Sequence, residues 1–238
     1  SSAASTTAGT SATTAATTTT ATAAAANSAG DLAATPSETS GPYPGDGTNG
    51  PNVLTESGVV RQDIRSSFGS FSGSAEGVPL TIKLTVVDGS TGAPVSDAAV
   101  YLWHCDRDGN YSIYASAAAD QNYLRGVQQT GADGTLSFTS IYPGCYSGRW
   151  PHAHFEVFGS VADATSGRNA RLTSQIAFPK ATCEEAYTAS GYEASVANLS
   201  RVSLSRDMVF GDDEAVHELA TMSGDASAGY TAALTVVV

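Results

Sequence analysis

The feature that most constrains the fold is a strict alternation of apolar and polar side chains between Leu80 and Val86. Every second residue of this stretch is Leu, Ile or Val, and the intervening residues are Thr or Lys. In an extended chain successive side chains point to opposite faces, so this pattern places all the apolar groups on one side. The stretch therefore predicts a β-strand with one face in a hydrophobic core.

Other segments rich in β-branched and aromatic residues follow, separated by turn sequences such as Asp-Gly and Pro-Gly. They predict further strands at residues 98–105, 135–141, 152–158, 172–178, 201–210 and 231–238. Only residues 182–199 show a helical run, which Gly191 interrupts. There are no internal repeats and no alternation of strands with helices. The pattern predicts an all-β fold, an antiparallel β-sandwich with one or two short helices.

The first 30 residues contain only Ala, Ser and Thr, apart from one Asn and two Gly. Such a segment buries too little apolar surface to offset the entropy lost on ordering a chain. We therefore predict a disordered stalk or linker at residues 1–34 and a single folded domain at residues 35–238. The stalk-like composition favours a secreted or extracytoplasmic protein, and it would allow attachment to a cell surface.

Acidic residues outnumber basic residues by 23 to 11, so the formal net charge is −12. This charge repels phosphate backbones and anionic lipid surfaces, which argues against nucleic acid or acidic membranes as partners. No apolar run approaches the roughly 20 residues that a membrane-spanning helix needs. The composition therefore predicts no membrane-spanning segment.

Two of the four histidines, His152 and His154, stand one residue apart at the start of a predicted strand. Their imidazoles would project from the same face roughly 6–7 Å apart, so one metal ion could bind both. They could also be two polar residues on a hydrated sheet face. Glu156 would share that face, which leaves open a site built from two histidines and one carboxylate.

Two tyrosines and an arginine lie on loops that adjoin the predicted strands. Tyr111 follows the turn after the second strand, whereas Tyr146 and Arg149 precede the histidine strand. Taken singly, each tyrosine could be a packing residue with its hydroxyl on water or backbone. Arg149 could pair with an acidic neighbour, which is a common fate of arginine in an acidic chain.

Short motifs containing these residues occur in a definite order along the chain: Gly41-Pro42-Tyr43, residues 103–111 (WHCDRDGNY), Leu124-Arg125-Gly126, residues 143–146 (PGCY), residues 149–155 (RWPHAHF) and residues 173–176 (TSQI). Together they resemble the intradiol ring-cleavage dioxygenases, non-haem Fe(III) enzymes that open catechols between their two hydroxyls. The resemblance extends over about residues 35–238. The Ala/Thr-rich tail and the Trp-His-Cys-Asp sequence further resemble the exported, single-domain members of that family.

The resemblance assigns four side chains as Fe(III) ligands: Tyr111, Tyr146, His152 and His154. It also implies that Tyr146 acts as a base towards the substrate, that Arg149 stabilises negative charge on the attacked ring carbon, and that Gln175 lies beside the site. The ligand set is chemically reasonable because Fe(III) is a hard cation that prefers anionic oxygen. Two phenolates and a hydroxide would balance its three positive charges.

The resemblance thus implies a dioxygenase that converts a small aromatic diol and O₂ into a muconate-type diacid. The net charge favours unsubstituted or alkylated catechols over carboxylated ones, unless a local arginine offsets it. The alternative from another class is a non-catalytic β-sandwich binding or adhesion module displayed on the Thr/Ala stalk. Iron binding would distinguish the two.

The remaining histidines and the cysteines receive simpler interpretations. We expect His104 to be a buried structural imidazole and His217 to lie in solvent within a run of charged residues. Of the three cysteines, Cys105 and Cys183 are expected to form a disulfide, which would leave Cys145 as a free thiol beside Tyr146.

Overall fold

The structure is a computed structural model that describes residues 1–3, 32–166 and 169–238. Most of the segment predicted to be a disordered stalk, residues 1–34, lies outside the described residues. From Leu32 the chain contacts the folded part, because the Leu32 backbone N–H donates to the Gly89 carbonyl at 3.1 Å. The Thr35 N–H likewise donates to the Val237 carbonyl at 3.1 Å.

The described part of the chain is built mainly from strands, in this order: β1 (Pro79–Val87), β2 (Ala99–Trp103), β3 (Arg125–Gln129), β4 (Thr135–Ile141), β5 (His152–Phe158), β6 (Leu172–Ala177), β7 (Thr221–Asp225) and β8 (Gly229–Val237). Three short helices accompany them: α1 (Val161–Thr165), α2 (Lys180–Ala186) and α3 (Glu193–Leu199). Single 3₁₀ turns lie at Ser116–Ala118 and Leu204–Arg206. No helix in these described ranges is long and apolar enough to cross a membrane.

The strands form two four-stranded sheets, ordered β4-β1-β8-β7 and β3-β2-β5-β6. This confirms the prediction of a mostly-strand fold with few helices. The prediction of a wholly antiparallel arrangement is wrong for one pair, because β1 and β8 run parallel from Leu80 opposite Tyr230 to Val87 opposite Val237. These two strands are far apart in sequence, so no hairpin forces them to be antiparallel.

The alternation that predicted the first strand is confirmed by burial. Leu80, Ile82, Leu84 and Val86 all lie in the largest hydrophobic cluster. The second sheet supplies other members of that cluster, among them Val100, Leu102, Ala153, Phe155 and Val157. Strand β5 is buried along its whole length. Its inward face packs in this core, and its outward face carries the histidines beneath loops that cover the second sheet.

Two local predictions are wrong. Residues 201–210 do not form a strand, because side-chain capping replaces strand pairing there: the Asp207 carboxylate accepts hydrogen bonds from the Val209 and Phe210 backbone N–H groups. The helical run 182–199 is two helices, α2 and α3. Gly191 lies between them with φ +94°, a left-handed conformation that ends a helix and suits glycine. Strands β3 and β7 were not predicted.

The predicted disulfide between Cys105 and Cys183 is also wrong, since all three cysteines are free and buried. Cys105 packs on the outer side of the second sheet with Trp103, and its thiol donates to the Gly144 carbonyl at 3.4 Å. Cys183 packs in the main core, where its thiol donates to the Phe178 carbonyl at 3.7 Å. The two thiols therefore belong to different hydrophobic clusters.

Candidate metal centre

Strand β5 places the two histidines of the candidate site. His152 and His154 are two residues apart, so both imidazoles project from the outward face of the second sheet. His154 lies directly opposite Trp103 of β2 and opposite Gln175 of β6 in the strand ladders. The two Nε2 atoms are 3.2 Å apart. A central position in a four-stranded sheet therefore fixes the backbone of both residues.

The two predicted tyrosines reach the same point from separate loops. Tyr111 follows a tight turn in which the Asp106 carboxylate accepts from the backbone N–H groups of Asp108 and Asn110. The Tyr111 hydroxyl lies 3.3 Å from His152 Nε2, and the Tyr146 hydroxyl lies 3.2 Å from the same atom. The structure thus brings together all four side chains that the family resemblance assigned as metal ligands.

The spacing of these four atoms suits a shared metal ion. Ligands bonded to one ion at about 2.0–2.1 Å are separated by roughly 3.0 to 3.4 Å. The distances from His152 Nε2 to the other three atoms are 3.2 to 3.3 Å. No cluster of three His, Cys, Asp or Glu residues suited to a metal occurs within residues 1–3, 32–166 and 169–238. Glu156 does not complete the histidine pair, and its carboxylate instead accepts from the Thr173 hydroxyl at 3.2 Å. The donor set is therefore two phenols and two imidazoles.

The protonation states also suit metal binding. His152 Nδ1 donates to the Trp150 carbonyl at 2.5 Å, which leaves the Nε2 lone pair facing the tyrosine hydroxyls. Burial, reinforced by the Arg149 charge, lowers the pKa of His152 to about 3. Burial and the neighbouring His152 also place the pKa of His154 well below its usual range. Both imidazoles are therefore neutral near pH 7, as coordination requires.

The two phenols are hard to ionise unless a cation is close. Burial raises the pKa of Tyr146 to about 12 and that of Tyr111 well above its usual value. A neighbouring multivalent cation has the opposite effect, because it stabilises the phenolate. Both hydroxyls are therefore neutral near pH 7 unless a cation is bound beside them.

Arg149 and Gln175 form one hydrogen-bonded unit at the edge of the four-atom cluster. Arg149 Nη1 lies 3.5 Å from His152 Nε2, and Nη2 donates to Gln175 Oε1 at 2.8 Å. Gln175 Nε2 donates to the Thr39 carbonyl at 2.9 Å, so this amide is buried and does not face the surface. Arg149 also pairs with Asp207, with Nε 3.0 Å from Oδ2. The arginine therefore both contacts the site and has an acidic partner.

The sequence interpretation assigned no role to Arg125, which lies opposite Trp103 in the second sheet with its side chain fully buried. It donates to five acceptors: Ser112 Oγ (3.0 Å), the carbonyls of Ser112 (3.1 Å), Pro44 (2.9 Å) and Tyr43 (3.0 Å), and the Tyr101 hydroxyl (3.1 Å). It thereby joins the Tyr43 loop to the residue that follows Tyr111. The Tyr43 ring packs on Tyr111 with centroids 5.0 Å apart. The Leu124-Arg125-Gly126 motif was the available signal.

Two further contacts hold His154. The Trp103 indole stacks on the imidazole, with ring centroids 5.0 Å apart and planes 5° from parallel. On another side, Gly41 has φ +69°, and a Cβ added to it would lie 3.3 Å from His154 Cε1. A side chain at position 41 would therefore be strained and would crowd the imidazole. Steric crowding thus explains why the first residue of the Gly41-Pro42-Tyr43 motif is glycine.

The other two histidines match their simple interpretations. His104 is buried, with Nδ1 2.7 Å from the Cys105 carbonyl and Nε2 2.6 Å from the Ser140 hydroxyl. Burial lowers the pKa of His104 to about 4, so it is a neutral structural imidazole. His217 is exposed.

Comparison with known proteins identifies the family. A family model described as dioxygenase matches residues 49–184, which is more than half of the chain and includes all four candidate ligands, Arg149 and Gln175. The chain belongs to this dioxygenase family. That family comprises the intradiol ring-cleavage dioxygenases, and the curated relatives agree with it.

Among curated relatives, a chlorocatechol 1,2-dioxygenase of Rhodococcus opacus is 41% identical over 54 residues, 23% of this chain and 21% of the relative. A hydroxyquinol 1,2-dioxygenase of Nocardioides simplex is 33% identical over 112 residues, 47% of this chain and 36% of the relative. The aligned segments thus span about a fifth to a third of these relatives.

Solved structures match over most of the chain. An intradiol ring-cleavage dioxygenase from Tetranychus urticae superposes with a TM-score of 0.67 at 24% identity, covering 87% of this chain and 94% of that one. The dioxygenase domain of a carbohydrate-binding fusion from Streptomyces sp. SirexAA-E gives a TM-score of 0.54 at 24% identity, covering 87% and 98%. At this identity the likeness establishes the fold.

Proposed function

We propose that this protein is a non-haem Fe(III) dioxygenase that cleaves catechol-type aromatic diols between the two hydroxyls with O₂, forming muconate-type diacids. The convergence of the Tyr111 and Tyr146 hydroxyls with the Nε2 atoms of His152 and His154 is the observation that carries this proposal. Fe(III) held by these four side chains would act as a Lewis acid that binds the diol and makes its ring reactive towards O₂.

Tyr146 is the side chain best placed to take a proton from the substrate. It is partly exposed, whereas Tyr111 is buried, so a ligand entering the site reaches Tyr146 more easily. A phenolate oxygen is a strong base, because the ordinary pKa of tyrosine is about 10. Tyr146 can therefore both bind the metal and accept the proton of a substrate hydroxyl.

Arg149 supplies a fixed positive charge where negative charge develops on the attacked ring. Its Nη1 is the guanidinium nitrogen that points at the cluster, 3.5 Å from His152 Nε2. Gln175 fixes the other terminal nitrogen, so the charge does not have to reorient during the reaction. A pre-oriented charge in a buried site stabilises a transition state far more than a mobile charge in water does.

The site and the relatives support a substrate class. The relatives named above are dioxygenases for chlorocatechol and hydroxyquinol, which supports a catechol-type diol as substrate. The net charge of −12 favours unsubstituted or alkylated catechols over carboxylated ones. We also propose a secreted or extracytoplasmic location, with the Ala/Thr-rich segment as the stalk, on the basis of its composition.

Iron loading tests the proposal. Purified protein supplied with Fe(III) should bind one equivalent and acquire a visible colour from tyrosinate-to-iron charge transfer. That colour should shift when catechol is added without O₂, and air should then produce oxygen uptake and a product heavier by two oxygen atoms.

Variants locate the iron. Tyr111→Phe and His154→Ala should lose iron but keep the wild-type circular dichroism spectrum. His217→Ala, a change at an exposed histidine, should keep iron, colour and oxygen uptake. Protein that stays colourless and binds no iron would overturn the proposal and favour the non-catalytic adhesion module.

A further inference from the structure

Asp207 lies in the irregular segment after the Leu204–Arg206 turn, outside the residues matched by the family model. Its side chain is fully buried. Four N–H groups donate to its carboxylate: Arg149 Nε (3.0 Å to Oδ2 and 3.2 Å to Oδ1), Trp150 N (2.6 Å), Val209 N (2.9 Å) and Phe210 N (3.2 Å). Burial raises the pKa of Asp207, but these hydrogen bonds outweigh burial and lower the pKa below its usual value. The hydrogen bond from Arg149 makes the largest lowering contribution.

The Asp207 carboxylate helps to fix the orientation of Arg149. Asp207 binds Nε of the guanidinium, and Gln175 binds Nη2. A planar guanidinium anchored at two of its three nitrogens has its plane and direction fixed. The third nitrogen, Nη1, then points at His152. The Phe210 ring lies on the same side chain, with its centroid 5.8 Å from the guanidinium carbon.

The Asp207 carboxylate also orients His152, through the Trp150 backbone. The Trp150 N–H donates to Asp207 Oδ2, and the Trp150 carbonyl accepts from His152 Nδ1. A hydrogen bond to a carboxylate anchors this segment of backbone against the anion. The anchored carbonyl in turn fixes the tautomer and ring orientation of the histidine.

A purely structural role for Asp207 would leave half of these contacts unexplained. The Val209 and Phe210 N–H groups both donate to Oδ1, which is enough to cap the loop. The Trp150 N–H donates to Oδ2, and Arg149 spans both oxygens with its shorter bond to Oδ2. Both loop N–H groups therefore bind Oδ1, whereas Oδ2 accepts from Arg149 and Trp150, which precede the histidine strand.

We infer that Asp207 is a positioning residue for the proposed dioxygenase: it directs Arg149 at the reacting ring and orients His152 through the Trp150 backbone. The inference rests on the proposed function, and it adds a residue from the C-terminal part of the chain to the site.

The test uses Asp207→Asn, which keeps the shape of the side chain but replaces one acceptor oxygen with a donor nitrogen. Iron and the visible band should be retained, because the four ligands are unchanged. We expect kcat for catechol to fall about 10²-fold, the effect of misplacing a reacting group by about 1 Å, with little change in KM. In iron-free protein, two-bond ¹H–¹⁵N NMR should show that His152 no longer holds a single Nδ1–H tautomer.

Two further variants separate positioning from folding. Asp207→Ser keeps a hydroxyl that can cap the Val209 N–H, so a loop-capping role predicts wild-type kcat, whereas positioning predicts the same 10²-fold loss. Val209→Ala loosens the packing of the same segment without touching the carboxylate, and it should keep kcat within a few-fold. The double variant Arg149→Gln/Asp207→Asn should lose less than the product of the two single losses, because part of the Asp207 effect passes through Arg149.

The outcomes distinguish this inference from the proposed function. If the wild type is coloured and active, but Asp207→Asn and Asp207→Ser keep wild-type kcat and the His152 tautomer, the inference is overturned and the dioxygenase stands. If the wild type binds no iron and consumes no O₂, the proposed function fails. The tautomer measurement on iron-free protein then still decides whether Asp207 orients His152.

Discussion

Replacing Arg125 with lysine tests whether one buried guanidinium holds the loops of the site together. The arginine donates five hydrogen bonds from three nitrogens, reaching Ser112 on one side and the Tyr43 and Pro44 carbonyls on the other. A lysine ammonium has three donors on one nitrogen, so at least two of the five hydrogen bonds are lost. Each buried hydrogen bond lost from a charged donor costs about 1–3 kcal/mol. The expected loss in unfolding free energy is therefore about 2–6 kcal/mol.

Urea denaturation of the iron-free protein measures this loss. With a slope of about 2 kcal/mol per molar urea, Arg125→Lys should lower the midpoint by about 1–3 M without changing the slope. Arg65→Lys is the control, because Arg65 is exposed and its ion pair with Asp63 should contribute less than about 1 kcal/mol. If Arg125→Lys loses no more than this control, the five hydrogen bonds do not stabilise the loops and our reasoning is wrong.

Three further predictions concern buried polar groups. Burial and nearby Glu38 raise the pKa of Glu218 to about 8, so the folded protein holds a proton that the unfolded chain releases above its ordinary pKa. The unfolding free energy of Glu218→Gln should therefore rise relative to that of the wild type by up to about 1.4 kcal/mol per pH unit between pH 5 and 8. Thermal melts measure this, and a difference in unfolding free energy that does not change with pH would refute it. The pKa values of His152 and His154 are lowered, so the unfolded chain binds protons that the folded iron-free protein does not. Its melting temperature should therefore fall as the pH drops from 6.5 towards 3, more steeply than in His154→Asn; equal slopes would contradict this. Gln175→Leu leaves Arg149 Nη2 unpaired, and steady-state oxygen uptake should show kcat lowered about 10- to 100-fold with iron retained; an unchanged kcat would remove Gln175 from the mechanism.

Much of the fold could be predicted because its strands carry local signals. The alternation from Leu80 to Val86 coincides with β1, and the predicted strands at residues 135–141 and 152–158 coincide with β4 and β5. The parallel pairing of β1 with β8 could not be predicted, because it joins segments about 150 residues apart with no turn to set their direction. Residues 201–210 have a strand-like composition, but capping by Asp207 overrides it.

The candidate site, like the fold, could be predicted from the sequence only in part. His152 and His154 are close in sequence, so strand periodicity alone predicts that they share a face. The approach of Tyr111 and Tyr146 was inferred from a family resemblance, because nothing local brings their loops to the same strand. Arg125 and Asp207 were not predicted to belong to the site, for a related reason. Their partners lie 13 to 82 residues away for Arg125 and 57 to 58 residues away for the pairing of Asp207 with Trp150 and Arg149.

X-ray absorption at the iron edge of the loaded protein tests the central claim most directly. We predict a first shell of oxygen and nitrogen near 2 Å, outer-shell scattering from two imidazoles, and no sulfur, even though the Cys145 thiol adjoins Tyr146 in sequence. Tyr111→Phe should prevent loading. A shell that contains sulfur, or one without two imidazoles, would contradict the assignment of the four ligands.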